Sequence, residues 1–208
     1  MKYSSIECSF DSSALRKRIE ELSCSHKIVF LLSCAERLAP NYAAFTRHHS
    51  WGDFTVLLKA LDFGWRYLYG EKLKRNEIEI CLAQCEQQAP DTNEFDSEFV
   101  SPALDAAVCC SLLLKFLLYC EPELVIEGAS LARDTVDMYV QEIDVMTPLD
   151  VDREQKILRH PMMRRELERQ RKDLDFLERS DLTTDTVTEL ERRWRAPIRS
   201  NIDLLREE

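Results

Sequence analysis

Glycine stands at only four positions of the 208-residue chain, 52, 64, 70 and 128, about a quarter of the ~7% share usual in globular proteins. Backbone with positive φ is therefore scarce, and so are the hairpin turns and phosphate-cradling loops that depend on it. Neither GxGxxG nor GxxxxGK[ST] occurs. Long stretches rich in Leu, Ala, Glu, Arg and Lys further disfavour a β fold or a βαβ nucleotide binder. These features predict an all-α chain: an irregular antiparallel bundle of about seven or eight helices in a single domain, whose 45% hydrophobic content is enough for one core.

Apolar spacing and punctuation place the helices. Asp11 or Ser12 is expected to cap a first helix running to about Leu22. Ser25 should cap a second, with Ile28, Leu31, Leu32, Ala35 and Leu38 on one face and Pro40 as its end. Asn41 to His48 then reads as a short helix or turn. Phe54, Leu57, Leu58, Leu61, Trp65 and Leu68 form the stripe of a helix capped by Asp53 and closed by Gly70. A fourth helix is expected from about Lys74 to Gln88, followed by an acidic loop to Val100. Ser101-Pro102 opens a central helix reaching Cys120, and Glu121-Pro122 opens the next, in which Gly128 permits close helix contact. His160-Pro161 starts a late helix that ends near Arg179, and Val187 to Trp194 is a short amphipathic stretch in a more exposed C-terminal arm.

Charge is distributed unevenly. Residues 86 to 150 hold 14 acids and two bases, Lys115 and Arg133, for a net −12, whereas residues 151 to 208 hold 14 of each sign. Such an acidic block repels nucleic acid and anionic membrane and favours a partner with a basic surface. The candidate contacts are Asp91, Glu94, Asp96 and Glu98 in the loop, with Phe95 and Phe99 as aromatic anchors. The basic run Arg164, Arg165, Arg169, Arg171 and Lys172 is interleaved with Glu166, Glu168, Asp173 and Asp175, and reads as a solvated helix face.

The first residues, Met1 to Cys8, contain an acid and no apolar h-region, so no signal peptide is expected there. The most apolar run, Ala106 to Cys120, is short for a bilayer and interrupted by Lys115. Eight cysteines in a chain of this size without an export signal read as reduced thiols of a cytoplasmic protein. Cys81 and Cys85 lie one turn apart but lack the companions zinc requires, and Cys109 and Cys110 diverge on their helix. The pairs Asp53 with Asp62 and Asp134 with Asp137, and the His48-His49 cluster, lack any nucleophile motif, and Glu-x-x-His is absent. The expectation is no enzyme, no metal and no cofactor.

The stretch Glu36-Arg37-Leu38-Ala39-Pro40-Asn41-Tyr42-Ala43-Ala44-Phe45 resembles the ERxxPNYxxF signature of the YjaG-like family. Trp51-Gly52-Asp53, Leu61-Asp62, Cys85-Glu86-Gln87-Gln88-Ala89-Pro90 and Pro102-Ala103-Leu104-Asp105-Ala106 follow in the same order. The likeness covers about residues 28 to 180. It divides the chain into an N-terminal helix or extension over 1–27, a family domain over 28–180 and a helical arm over 181–208. The resemblance implies a bacterial, all-helical cytoplasmic protein of unknown function, with Glu36, Arg37, Asn41, Tyr42, Asp53, Asp62 and Asp105 as its polar cluster.

Together these readings lead to a non-enzymatic acidic binding protein. Its most concrete form is an immunity protein that neutralises a toxin, a nuclease for instance, with no role for nucleic acid or membrane and with self-association compatible. The alternatives are a regulatory or signalling adaptor, and a metal or small-molecule enzyme using Glu36, Asp53, Asp62 or the histidines.

Overall fold

The computed structural model describes residues 12–195 and 199–204. Asp11, expected above as a possible helix cap, lies outside them, as does Cys8. Among the described residues there are nine helices: α1 (Ser12–Glu21), α2 (Cys24–His49), α3 (Phe54–Leu68), α4 (Arg75–Gln87), α5 (Val100–Tyr119), α6 (Pro122–Ile143), α7 (Arg153–Arg159), α8 (Pro161–Leu177) and α9 (Thr184–Arg195). The main apolar core draws on residues from Ile19 in α1 to Leu190 in α9, and a smaller cluster joins Val136 and Val140 of α6 to Ile157, Met163 and Ile202. The fold is an all-α bundle in a single domain.

The axis of the bundle is α2. Its 26 residues are buried almost all round from Lys27 to Ala43, as befits a helix packed on by α3, α5, α6, α8 and α9. Two expectations fail here. Ser23, not Ser25, is the N-cap, its hydroxyl accepting from the His26 amide, and Pro40 does not end the helix. An interior proline removes one amide and crowds the preceding turn, at a cost of ~3 kcal/mol. Leu38, Ala39, Asn41, Tyr42 and Phe45 are nevertheless fully buried on both sides of it, and burial of that extent outweighs the penalty, so the helix continues to a left-handed cap at Ser50 (φ 51°).

Two glycines let neighbours approach α2. A Cβ on Gly128 of α6 would collide with Leu31, as the sequence anticipated, and one on Gly64 of α3 would meet Leu32 at 2.9 Å. Alongside α2 runs α5, antiparallel to it. By length and composition α5 could cross a membrane, but 67% of its apolar window lies inside the protein, which makes it a second core helix. It begins at Val100, before the Ser101-Pro102 pair expected to open it.

The C-terminal part departs most from expectation. The sequence signalled no helix at 153–159, yet α7 forms there. The arm is not exposed throughout: Ser200, Asn201 and Ile202 are buried, and the Asn201 side chain donates to the Ala132 carbonyl at 2.8 Å. The basic run of α8 is only partly a solvated face. Arg171 and Lys172 pair with Glu168, whereas Arg165 reaches Asp203 and the Asn201 carbonyl.

Candidate functional site

The polar residues of the signature lie on successive turns of α2, and each one fastens a different element. Glu36 accepts from the Trp65 indole of α3 at 2.9 Å and lies 3.7 Å from Arg195 of α9. Arg37 donates to Asp173 at 2.7 Å and to Glu166 at 3.3 Å, both on α8. Burial works against the Arg37 charge, but Glu166 and Asp173 overcome it and hold the guanidinium more firmly protonated than usual. Asn41 donates to Asn201 at 3.1 Å. The Tyr42 hydroxyl donates to Gln88 at 3.0 Å, and the same oxygen accepts from the Asp53 amide. Burial, then Asp53, raises the Tyr42 phenol above its ordinary range.

The rest of the family cluster does not converge on one centre. Asp53 caps α3, accepting from the Thr55 amide and hydroxyl. Asp62 lies with Glu36 and Glu191 around the Arg195 guanidinium; the structure does bring Glu36 and Asp62 together, but an arginine already fills the space between them. Asp105 stands apart on α5, accepting from the Thr135 hydroxyl of α6 at 2.7 Å, and burial pushes its carboxyl up to about 6. Among the described residues no three His, Cys, Asp or Glu side chains are grouped to hold a metal ion.

The acidic block is not one face. With 22 residues, α6 is about 33 Å long, so Glu121, Glu123 and Glu127 at its start lie far from Glu142 and Asp144 at its end. At the first end Glu123 is paired with Arg16, and Glu86 of α4 is held by Lys115 at 2.9 Å. The carboxylates that do gather are Asp96 and Glu98 of the loop and Glu142 of α6. With Met138, Tyr139 and Pro102 they line a cleft of about 360 Å³. The Tyr139 phenol records the local field: burial first, then Glu98, Glu142 and Asp203, raises it. Arg171, Arg192 and Arg195 pair with acids outside the lining of this cleft, at 36, 62, 168, 175, 189 and 191, whereas Arg165 pairs with Asp203, one of the acids that act on Tyr139.

The loop is held from below by the rings expected to serve as anchors. Phe95 packs edge-on against Phe45, His49 and Trp51, and Phe99 lies against His48. Both phenylalanines are therefore half-buried struts. His49 bonds Ser97 at 2.8 Å, so the histidine pair secures the loop to the end of α2. Asp91 accepts from Asn93 in a local turn, which lowers its carboxyl below the usual range, and Glu94 is exposed beside it. Sequence reasoning missed the opposite wall, Met138, Tyr139 and Glu142. It also missed exposed apolar side chains in and after α6: Met138 is 53% exposed, Val145 82% and Leu149 89%. Large exposed apolar side chains in the turn after a helix were the available signal.

Similarity to other proteins follows this architecture. Over 97 residues, 47% of this chain and 49% of the relative, the chain is 33% identical to the uncharacterised protein YjaG of Escherichia coli strain K12. Over 104 residues, 50% of this chain and 51% of the relative, it is 34% identical to an uncharacterised protein of Haemophilus influenzae. These matches span about half the length of the curated relatives. A crystal structure of a DUF416 family protein from Shewanella baltica OS155 superposes with a TM-score of 0.83 at 28% identity, covering 91% of this chain and 97% of that one. With residues 14–204 matching the profile described as "Protein of unknown function (DUF416)", the chain belongs to that family.

Proposed function

We propose that this protein is a non-enzymatic, cytoplasmic binding protein that receives a cationic, partly apolar segment of a partner at the cleft between the loop over 92–99 with the start of α5 and the end of α6. The supporting observation is the convergence of Asp96, Glu98 and Glu142 on one cleft that the half-exposed Met138 also lines. Negative charge beside an apolar side chain suits a basic amphipathic segment, with the carboxylates guiding approach and Met138 supplying apolar contact. An immunity protein covering a basic toxin is the most concrete form of this reading. The signature carboxylates add nothing catalytic to it, because Glu36 and Asp62 are engaged with Trp65 and Arg195.

The test is capture from the native host with the wild-type chain and with Glu98→Lys/Glu142→Lys. A basic protein retained by the wild type at low salt and lost by the double variant is the expected result. Equal retention by both would remove the cleft from consideration. A toxin encoded next to the gene, blocked by the wild type and not by the variant, would establish the immunity form.

A further inference from the structure

The sulfurs of the chain fall into two groups. Cys34, Cys81, Cys85, Cys109 and Cys110 are buried free thiols; burial pushes Cys34 up to about 12 and raises Cys109 and Cys110, while the hydrogen bond between Cys81 and Cys85 lowers Cys81 and raises Cys85. With none of the five exposed to solvent, they are shielded from an incoming reagent. Cys24 and Cys120, 96 residues apart in sequence, are instead joined as a disulfide with their Cα atoms 6.8 Å apart. This corrects the expectation of uniformly reduced cysteines. Pattern gave no hint of the pairing, which arises because α2 and α5 run antiparallel and bring the start of one helix to the end of the other.

We propose that Cys24–Cys120 is a reversible thiol–disulfide exchange site, with Cys120 as the entry sulfur, Cys24 as the resolving sulfur and a low-molecular-weight disulfide as the oxidant. Cys120 is exposed and Cys24 half-buried, so an incoming reagent reaches Cys120 first. Cys24 is the first residue of α2 after its Ser23 cap, where the helix N-terminus favours negative charge on its sulfur. Cys120 follows the last turn of α5 in a left-handed conformation (φ 58°), where the helix end does not favour a thiolate.

In the oxidising direction the Cys120 thiolate attacks one sulfur of the small disulfide, whose S–S bond breaks and whose other half leaves as a thiolate. The Cys24 thiolate then attacks the Cys120 sulfur, forming the protein disulfide and expelling the second half. Two protein thiols lose two electrons and two protons, and one small disulfide becomes two thiols. The bundle can remain folded throughout, because α2 and α5 pack along their length independently of the link.

The experiment uses the full chain with Cys8→Ser, reduced and then exposed undenatured to glutathione disulfide, with thiols counted and peptides mapped by mass. Two thiols should be lost together, with Cys24 and Cys120 cross-linked and no glutathione retained, while helical circular dichroism is preserved. Adding Cys24→Ser should leave one glutathione on Cys120. An unchanged thiol count, glutathione persisting on the protein that retains Cys24, or loss of the five buried thiols at the same rate would overturn the proposal. The unsubstituted pair decides the matter even if the Cys24→Ser chain does not fold.

Discussion

The signature helix and the acidic loop carry comparable polar content to opposite ends. On α2, Glu36, Arg37 and Asn41 are buried and each is bonded to a different element. In the loop, Glu94, Asp96 and Glu98 are exposed, and the backbone beneath them is held by aromatic struts and the His49–Ser97 hydrogen bond. A charge already spent on an internal partner has little left for a ligand, whereas a charge facing water is free to meet one. The most recognisable motif of this chain is therefore architectural, and the part open to recognition lies in less distinctive sequence.

Substitutions can break that contrast. The largest effect is expected from Arg37→Met, which strands Glu166 without its cation in the interior. A loss of about 3–5 kcal/mol in denaturant unfolding is expected, and an unfolding midpoint near wild type would show that the pair is not structural. Asp105→Asn comes next. A carboxyl raised to about 6 by burial favours the fold while protonated, so its contribution is fully present below the unfolded value near 4 and is lost as pH rises through 6. The amide should therefore stabilise the protein at pH 7.5 by as much as about 3 kcal/mol and change nothing below about pH 4. Thermal melts of both proteins across that range read this directly.

Smaller effects sharpen the contrast. Asp53→Ala removes the cap of α3 and should cost ~1 kcal/mol, measured by chemical denaturation. Asp96→Lys/Glu98→Lys should alter stability by no more than about 0.5 kcal/mol, as exposed substitutions do, while lowering the Tyr139 phenol toward its ordinary range. Spectrophotometric titration of Tyr139 in a chain whose other tyrosines are silenced would detect that fall, and its absence would separate the loop from the cleft.

Much of the helix map was legible because its causes are local. The stripe from Phe54 to Leu68, the Asp53 cap and the His160-Pro161 start all depend on neighbours within a turn or two. Pro40 misled for the same reason: locally it is a stop, and only burial on every side of α2 carries the helix past it. Of the candidate site, Asp96 and Glu98 could be found from composition. Glu142 could not, since nothing in sequence says which turn of α6 faces the loop.

The sequence by itself determined an all-helical chain, its caps and stripes, the excess of acid in its middle third and its family signature, because these follow from short-range periodicity and residue chemistry. Only the tertiary structure decided that the acids divide between opposite ends of α6, that the signature points inward, and that Cys24 meets Cys120. Each of these depends on which helices lie side by side, and that is set by packing between residues tens of positions apart.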